Sequence, residues 1–402
     1  MTKKRNPDKE LRIFMIAGEP SGDQLGSKLI TALDRSVTGK LVVQGVGGEA
    51  MEEAGCTSIF PLSDVAIMGP LAIAARLPKL VKRVYQTVDA AIAANPDVLV
   101  IIDSPEFTHP IAKRVRRRRP DIPIVDYVSP SVWAWRSGRA HRMRRYVNHV
   151  LALLPFEPAA HKKLGGPACT YVGHPLIERL DWIKGLKPKR LVKELGLNRG
   201  LKIITVLPGS RRTEVTRLME PFGETLKRII AETGDVEVIV PVISSMRPLV
   251  EEGLKSWPVK PHLVEGEAAK FQAFRLSDAA LAASGTVTLE LALCGTPMVV
   301  AYRLEMIISL AHNFVLFVRD PSAIPSIVLP NLVLEKNAFP EFIEERCTPE
   351  NLAAALLPLL KGGRERDRQL TALKRLEKKM HLSRGQPSDQ AAKIVLDHAR
   401  RV

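Results

Sequence analysis

Polar residues that directly follow apolar runs are the places where this sequence could carry chemistry. Asp103 follows the run VLVII and precedes Ser104-Pro105-Glu106. A carboxylate at the end of a strand can act as a general base toward a substrate hydroxyl. The same residue type also caps helices. From the residues alone, both roles remain open for Asp103.

The loop Gly18-Glu19-Pro20-Ser21-Gly22-Asp23 follows the first apolar run, LRIFMIA. Its two glycines permit close backbone approach to a ligand, but their spacing is not that of the G-x-G-x-x-G dinucleotide fingerprint. Ser21 and Asp23 could bind a ligand or cap the following helix. The spacing is compatible with either interpretation.

Two further loops favour a nucleotide diphosphate. Leu207-Pro208-Gly209-Ser210-Arg211-Arg212 joins an apolar run to a helical segment, whose N-terminus could receive a diphosphate that Arg211 neutralises. Ser284-Gly285-Thr286 repeats this arrangement, and Glu290, about one turn later, would suit a ribose diol. Simple helix capping by Ser284 or Thr286, with a solvated Glu290, is the structural alternative.

Two tryptophans and five arginines stand close together in SVWAWRSGRAHRMRR, which begins at Ser131. Such a mixture is compatible with phosphate or lipid-headgroup contact. The formal net charge of +16 also indicates an anionic partner. Only 5% of the residues are aromatic and no nucleic-acid-binding module is recognisable, so we do not expect a nucleic-acid partner.

These loops require parallel strands to position them. Short apolar runs alternate with helical segments in two series, before and after a charged connection at residues 176–200. This β/α alternation predicts an α/β protein with two doubly wound domains. The tail from Thr348 to Val402 has helical spacing and predicts closing helices.

Other classes of site find little support. The four cysteines are far apart, there is no D-x-D sequence, and the nine histidines show no metal-ligand spacing, so we expect neither a metal nor another cofactor. The apolar stretch Met306 to Val318 is too short to span a bilayer. The segment Val65 to Arg83 combines apolar and basic residues, which suits either an interfacial helix or a buried one.

Several motifs together resemble the lipid-A-disaccharide synthase family. They are IAGEPSGDQLG, GVGG, DSPEF, YVSPSVWAWR, LPFEP, YVGHPL, LPGSRRTEV and ASGTVTLELALCGTPMVVAYR, in this order over nearly the whole chain. The resemblance implies a GT-B architecture, in which two Rossmann-like domains face a cleft. It implies inverting transfer of 2,3-diacylglucosamine from UDP to 2,3-diacylglucosamine 1-phosphate, which forms a β(1→6) disaccharide 1-phosphate and UDP in lipopolysaccharide biosynthesis.

On this basis we expect an acceptor- and membrane-binding domain at residues 1–178, a UDP-sugar-binding domain at 179–365, and helices at 366–402 that pack on the first domain or on a partner subunit. Asp103 takes the catalytic role. The expected donor-binding residues are Gly209, Ser210, Arg211, Ser284, Gly285, Thr286, Glu290 and Asn331. The expected acceptor-binding residues are Glu19, Ser21, Gly22, Asp23, Ser129, Trp133 and Arg136, and the expected membrane contacts are Ile67, Met68, Leu71 and Ile73.

The same resemblance implies work at the cytoplasmic face of the inner membrane, contact with its anionic surface, and a homodimer. Glu344 stands where the family pattern would place Gln, so its part in donor binding is left open. UDP-sugar 2-epimerases and the peptidoglycan N-acetylglucosaminyltransferase have similar donor loops, but neither accounts for YVSPSVWAWR. A non-catalytic lipid- or nucleic-acid-binding protein is the alternative from another class.

Overall fold

The computed structural model describes residues 10–66, 70–133, 137–303 and 326–399, and for residues 70–75 it describes the backbone alone. All four expected membrane contacts and one expected acceptor residue therefore lie outside the described part, either entirely or with their side chains. They are Ile67, Met68, Leu71, Ile73 and Arg136.

The chain forms two compact units. Unit 1 comprises Met1–Glu178 together with Leu382–Val402, and unit 2 comprises Arg179–His381. Residues 366–402, which the sequence analysis grouped as closing helices, are thus divided between the two units.

Unit 1 is built on a seven-stranded parallel sheet in the order β3-β2-β1-β4-β5-β6-β7. Its strands are β1 (Glu10–Ala17), β2 (Lys40–Val46), β3 (Cys56–Ser58), β4 (Val98–Ile102), β5 (Ile124–Tyr127), β6 (His149–Ala152) and β7 (Ala168–Tyr171). Its helices are α1 (Pro20–Ser36), α2 (Glu49–Glu53), α3 (Pro70–Ala94), α4 (Pro105–Arg118), α5 (Gly138–Met143), α6 (Glu157–Lys163), α7 (Pro175–Glu178) and, near the C-terminus, α17 (Pro387–His398).

The central strands of unit 1 explain where its site can form. All five residues of β4 are buried, as expected for a strand covered by helices on both faces. Ala17 at the end of β1 pairs with Ile102 at the end of β4. The strand order reverses between these two strands, so the loops that follow Ala17 and Ile102 flank the switch point where open α/β sheets bind ligands.

Unit 2 repeats this plan with a six-stranded parallel sheet in the order β10-β9-β8-β11-β12-β13. Its strands are β8 (Lys202–Leu207), β9 (Val236–Val242), β10 (His262–Glu265), β11 (Ala279–Ala283), β12 (Met298–Tyr302) and β13 (Glu341–Ile343). Its helices are α8 (Leu180–Gly185), α9 (Pro188–Leu195), α10 (Arg212–Thr233), α11 (Arg247–Leu254), α12 (Glu267–Leu276), α13 (Val287–Leu293), α14 (Leu329–Leu334), α15 (Pro349–Lys361) and α16 (Arg364–Met380).

The switch point of unit 2 lies between β8 and β11. Leu207 pairs with Ala282, so the loops 208–211 and 284–286 leave the sheet side by side. The two sheets confirm the predicted α/β class with two doubly wound units. None of the helices in the described ranges has the length and hydrophobicity needed to cross a membrane.

Candidate active site

Asp103 is held in a defined position at the carboxyl end of β4. Its backbone N–H donates to Tyr127 O at 3.0 Å, and Ser104 N–H donates to its Oδ1 at 2.7 Å. Ser21 Oγ, from the start of α1, donates to its Oδ2 at 3.2 Å. The carboxylate is only partly buried, so it remains accessible to a substrate. Two loops that the sequence singled out therefore meet at Asp103.

The backbone at this point is left-handed over two residues, with φ of 54° at Asp103 and 43° at Ser104. Aspartate tolerates this conformation better than most residues. Gly18 lies against the turn, because a Cβ added there would stand 2.4 Å from Ser104 Cβ. The glycine thus permits the close approach of the two protein loops.

Asp23 has a structural role that the sequence analysis did not assign to it. Its buried carboxylate accepts N–H groups from Gly48 at 2.7 Å, Ala50 at 3.1 Å and Met51 at 3.1 Å, at the start of α2. These three bonds occupy the carboxylate as the cap of α2. The expected contact between Asp23 and the acceptor stays a prediction beside this capping role.

An apolar cavity of about 550 Å³ adjoins the Asp103 turn. Gly18, Glu19 and Ser104 line one part of it. The remainder is formed by α3 and α4, chiefly by Leu77, Leu80, Val81, Val84, Tyr85 and Phe107. Its lining suits a hydrocarbon chain.

A buried carboxylate, that of Glu157, contacts the loop after β5. Glu157 accepts the N–H of Leu154 at 2.9 Å and faces Trp133 Nε1 at 3.4 Å. Burial raises the pKa of Glu157 to about 7, against the opposing effect of these hydrogen bonds. Ser129 is buried against His161, with Oγ to Nε2 at 2.8 Å, so it supports the loop from inside.

In unit 2, a glutamate of α10 closes the loop 208–211, which the sequence analysis expected to bind a diphosphate. Glu214 Oε2 accepts the backbone N–H groups of Ser210 at 3.0 Å and Arg211 at 3.2 Å, and its Oε1 lies 3.2 Å from Arg211 Nη1. Gly209, with φ of 124°, packs against this side chain. The N–H groups that the sequence analysis expected to bind phosphate thus already bind a carboxylate. Helix N-termini favour carboxylate as well as phosphate.

The second loop of unit 2 leaves its hydroxyls without a capping role. Helix α13 begins after Thr286 with no side-chain cap, and Ser284 Oγ instead donates to Ile327 O at 2.9 Å. Glu290 forms an ion pair with Lys270 Nζ at 2.8 Å and is mostly shielded from solvent. Glu290 is therefore not the solvated residue that the helix-capping interpretation expected.

Asn331 has a structural role as well. Its Oδ1 accepts the N–H groups of Ala338 and Phe339 at 2.9 Å each, and its Nδ2 donates to Phe339 O at 2.8 Å. At 2% exposure, the amide is fully used in holding its own loop. The expected direct contact of Asn331 with the donor stays a prediction beside this supporting role.

Sequence reasoning missed three charged residues at these sites. Glu214 stands at the third position of α10, from which a glutamate can reach back to the N-cap N–H, but Arg211 replaces the Ser or Thr of the capping-box sequence. Glu157 faces Trp133, 24 residues away, and Lys270 pairs with Glu290, 20 residues away, so no local pattern signals these two contacts. Glu344, with φ of 50°, directly follows β13. It therefore lies at the same edge of the unit 2 sheet as the loops 208–211 and 284–286.

Two parallel-sheet units, each with polar loops at its switch point, define a GT-B glycosyltransferase-like class of protein. A glycotransferase of kitacinnamycin has a TM-score of 0.60 at 18% identity, over 96% of this chain and 99% of that chain. The UDP-GlcNAc 2-epimerase from Neisseria meningitidis, bound to UDP-GlcNAc, has a TM-score of 0.59 at 13% identity, over 96% and 98%. These likenesses show the fold alone.

The family is shown by sequence. Residues 13–395 match the family model described as lipid-A-disaccharide synthetase. Lipid-A-disaccharide synthases from Nitrobacter hamburgensis and Bradyrhizobium diazoefficiens are both 48% identical, over 97% and 98% of this chain and 96% and 98% of those proteins. The chain therefore belongs to the lipid-A-disaccharide synthase family. It is a glycosyltransferase that joins 2,3-diacylglucosamine from its UDP conjugate to 2,3-diacylglucosamine 1-phosphate.

Proposed function

We propose that Asp103 is the general base of this transfer and that unit 1 binds the acceptor. The observation that supports this role is the fixed, partly exposed Asp103 carboxylate at the switch point, with Ser21 Oγ at 3.2 Å. A carboxylate held in this way can receive the proton of the attacking acceptor hydroxyl. Glu19, which lines the adjoining cavity, and Gly22, which packs on Ile102 O, complete the acceptor loop.

The apolar cavity takes one acyl chain of the acceptor in this proposal. Its aliphatic lining begins beside Ser104, adjacent to Asp103, and continues along α3 and α4. Burial of each methylene group contributes about 0.8 kcal/mol to binding. The chain thus supplies affinity while the sugar hydroxyl is directed to Asp103. Trp133, positioned by Glu157, borders the same edge of the sheet.

Unit 2 binds the UDP moiety of the donor. The diphosphate would replace the Glu214 carboxylate on the N–H groups of Ser210 and Arg211, at the N-terminus of α10. Arg211, whose side chain is 68% exposed, is free to turn toward the diphosphate once Glu214 releases it. Ser284, Gly285 and Thr286 lie beside this loop, and Glu290 binds the ribose diol while Lys270 orients its carboxylate.

The reaction then proceeds as a single displacement with inversion. The acceptor oxygen forms a bond to the anomeric carbon of the donor as the bond from that carbon to the UDP oxygen breaks. The hydroxyl proton passes to Asp103, and the electron pair of the broken bond remains on the diphosphate. The α10 N-terminus and Arg211 stabilise the charge that develops there.

Contact with an anionic membrane surface belongs to the same proposal. The net charge of +16 favours such a surface, and Leu77, Val81 and Tyr85 are exposed apolar residues on α3. The family resemblance adds the cytoplasmic face of the inner membrane as the place of action and a homodimer as the assembly. Vesicle flotation tests the contact with an anionic membrane, and analytical ultracentrifugation tests the homodimer.

Substitution of Asp103 by Asn tests the catalytic role with little change to the backbone, because Asn also tolerates a φ of 54°. We expect kcat to fall by about 10²- to 10⁴-fold, the usual contribution of a general base. Products are identified by mass spectrometry after incubation with both lipid substrates. The matched control is Asp97→Asn, at the opposite end of β4, where the carboxylate accepts Arg12 N–H.

Asp97→Asn should retain near-normal turnover, and both variants should bind UDP as the unaltered protein does. Near-normal turnover by Asp103→Asn would show that another group accepts the proton. Conversion of the UDP-sugar without any acceptor would instead indicate epimerase chemistry.

A further inference from the structure

Four cations of unit 1 gather on α4 and α5, and we call Lys113, Arg114, Arg139 and Arg142 the cationic cluster. Burial lowers the pKa of Lys113, and the charges of Arg142, Arg139 and Arg114 lower it further, against the opposing charge of Glu106. The cations are therefore close enough to repel one another. An anion placed among these cations would be attracted by all of them.

Tyr146 forms the floor of the cationic cluster. Lys113 Nζ lies 5.1 Å from the centroid of its ring. The charges of Arg139 and Arg142 also act on the Tyr146 hydroxyl, where they oppose the rise in its pKa that burial causes. The hydroxyl itself is fixed by His109 Nδ1 at 2.9 Å. Lys113 of α4 thus lies over this buried ring, and Arg139 and Arg142 of α5 are near enough to act on its hydroxyl.

The cationic cluster borders the apolar cavity beside Asp103. Arg114 lines that cavity and lies over the Tyr85 ring, 5.0 Å from its centroid. Glu106 also lines the cavity and accepts a hydrogen bond from Arg139 Nη2 at 2.6 Å. Arg114 therefore belongs to both the cavity lining and the cationic cluster, and Glu106 links the cavity lining to Arg139. A ligand with a hydrocarbon chain in the cavity would hold an attached anionic group near the cations.

We propose that the cationic cluster binds the phosphate of the acceptor and makes the enzyme specific for a phosphorylated sugar. This inference rests on the proposed function, in which unit 1 binds the acceptor. Arginine guanidinium groups suit phosphate oxygens through paired N–H donors, and Lys113 adds a mobile point charge. When the acceptor binds, its phosphate takes the place of the Glu106 carboxylate at Arg139. The acceptor is thereby held at three places, by its acyl chain, its phosphate and its reactive hydroxyl.

The test compares two acceptors, 2,3-diacylglucosamine 1-phosphate and the same lipid without phosphate. Lys113→Ala combined with Arg142→Ala should raise KM for the phosphorylated acceptor about 10- to 100-fold, as expected for lost charge-assisted contacts, with kcat changed less than about twofold. KM for the dephosphorylated acceptor should stay the same. The control is Arg117→Ala, an exposed position on α4 outside the cationic cluster.

Equilibrium binding of both acceptors separates this inference from the role of Asp103, because binding needs no turnover. Loss of discrimination by the double variant supports the inference even where Asp103→Asn leaves turnover intact. Equal weakening for both acceptors, or no change for either, overturns it. Flotation with phosphatidylglycerol vesicles provides a further arm. Reduced flotation of the double variant with acceptor discrimination intact assigns the cluster to membrane headgroups and likewise overturns the inference.

Discussion

The position of Asp103 depends on a single missing methyl group. A Cβ at Gly18 would stand 2.4 Å from Ser104 Cβ and 2.8 Å from Ser104 Oγ, so a larger residue must displace the turn that carries the carboxylate. The buried Ser104 Oγ has no hydrogen-bond partner within the described part of the chain. The hydroxyl of Ser104 is therefore not what holds the turn in place.

Gly18→Ala should lower both stability and activity. We expect a loss of about 1–3 kcal/mol in the free energy of unfolding, typical of overpacking, and a fall in kcat that exceeds the change in donor KM. Steady-state kinetics and chemical denaturation measure these effects. Adding Ser104→Gly removes the clashing atom and suits the local φ of 43°, so the double variant should recover most of the activity. Absence of recovery would show that Gly18 acts in another way.

Glu157 should make the stability of unit 1 depend on pH. Burial raises its pKa from 4.5 to about 7, so the folded protein binds a proton that the unfolded chain has lost over this range. The contribution is fully present below pH 4.5 and declines as pH rises to about 7. The free energy of unfolding, relative to Glu157→Gln, should therefore fall by about 3 kcal/mol across that window. Denaturation at a series of pH values measures it.

Glu178→Gln provides the matched control. Burial acts to raise the pKa of Glu178, but hydrogen bonds from Lys28 and Ser388 outweigh it and lower the pKa. Its proton linkage thus falls below pH 4.5, and the difference between Glu178→Gln and the unaltered protein should be constant from pH 5 to 8. A constant difference for Glu157→Gln as well would show that Glu157 is ionised throughout.

At the scale of elements, helix α3 presents an apolar stripe at the cavity. Leu77, Val81 and Tyr85 follow one another at intervals of four residues and are each about half exposed. The spacing places them on one face of the helix. The same helix also carries the exposed cations Arg76, Lys79 and Lys82. This combination suits a lipid substrate that enters from a membrane surface.

Val81→Glu should raise KM for the acylated acceptor by about tenfold or more, because a carboxylate beside the hydrocarbon chain must lose water. KM for the UDP-sugar, bound by unit 2 in our proposal, should change little. The control is Ala93→Glu, an exposed site in the last turn of α3 with the same change in charge. Unchanged acceptor KM in Val81→Glu would place the acyl chain elsewhere.

Local patterns predicted the elements better than the partners of their side chains. The order of the apolar runs predicted the β/α alternation. The loops after β1, β4, β8 and β11 were found because the carboxyl ends of parallel strands lie at one edge of the sheet. The structural roles of Asp23 and Asn331 were missed for a physical reason. The N–H groups that Asp23 caps begin 25 residues away, and Asn331 bonds a turn seven and eight residues on. Only the folded chain brings these groups together.

At the scale of the whole molecule, unit 1 is discontinuous in sequence. The chain leaves it after Glu178 and returns at Leu382, and α17 then packs against α1 with Ala391, Ala392 and Val395 buried. Glu178 Oε1 accepts the N–H of Ser388 at 2.7 Å and so joins the two parts of the unit. Folding of unit 1 therefore requires contacts across more than half of the chain, which is intrinsically slow.

Removal of residues 382–402 should destabilise unit 1 selectively. It exposes the face of α1 that α17 covers, while the core of unit 2, built from β8–β13 and their helices, loses nothing. Hydrogen exchange should show faster exchange in β1, β4 and α1 and unchanged protection in β8 and β11. Val395→Ala is the graded control, since it keeps the helix and removes buried methyl groups, at a cost of about 1–2 kcal/mol. Equal loss of protection in both units would show that they unfold together, whereas no loss in either would show that α17 contributes nothing to the stability of unit 1.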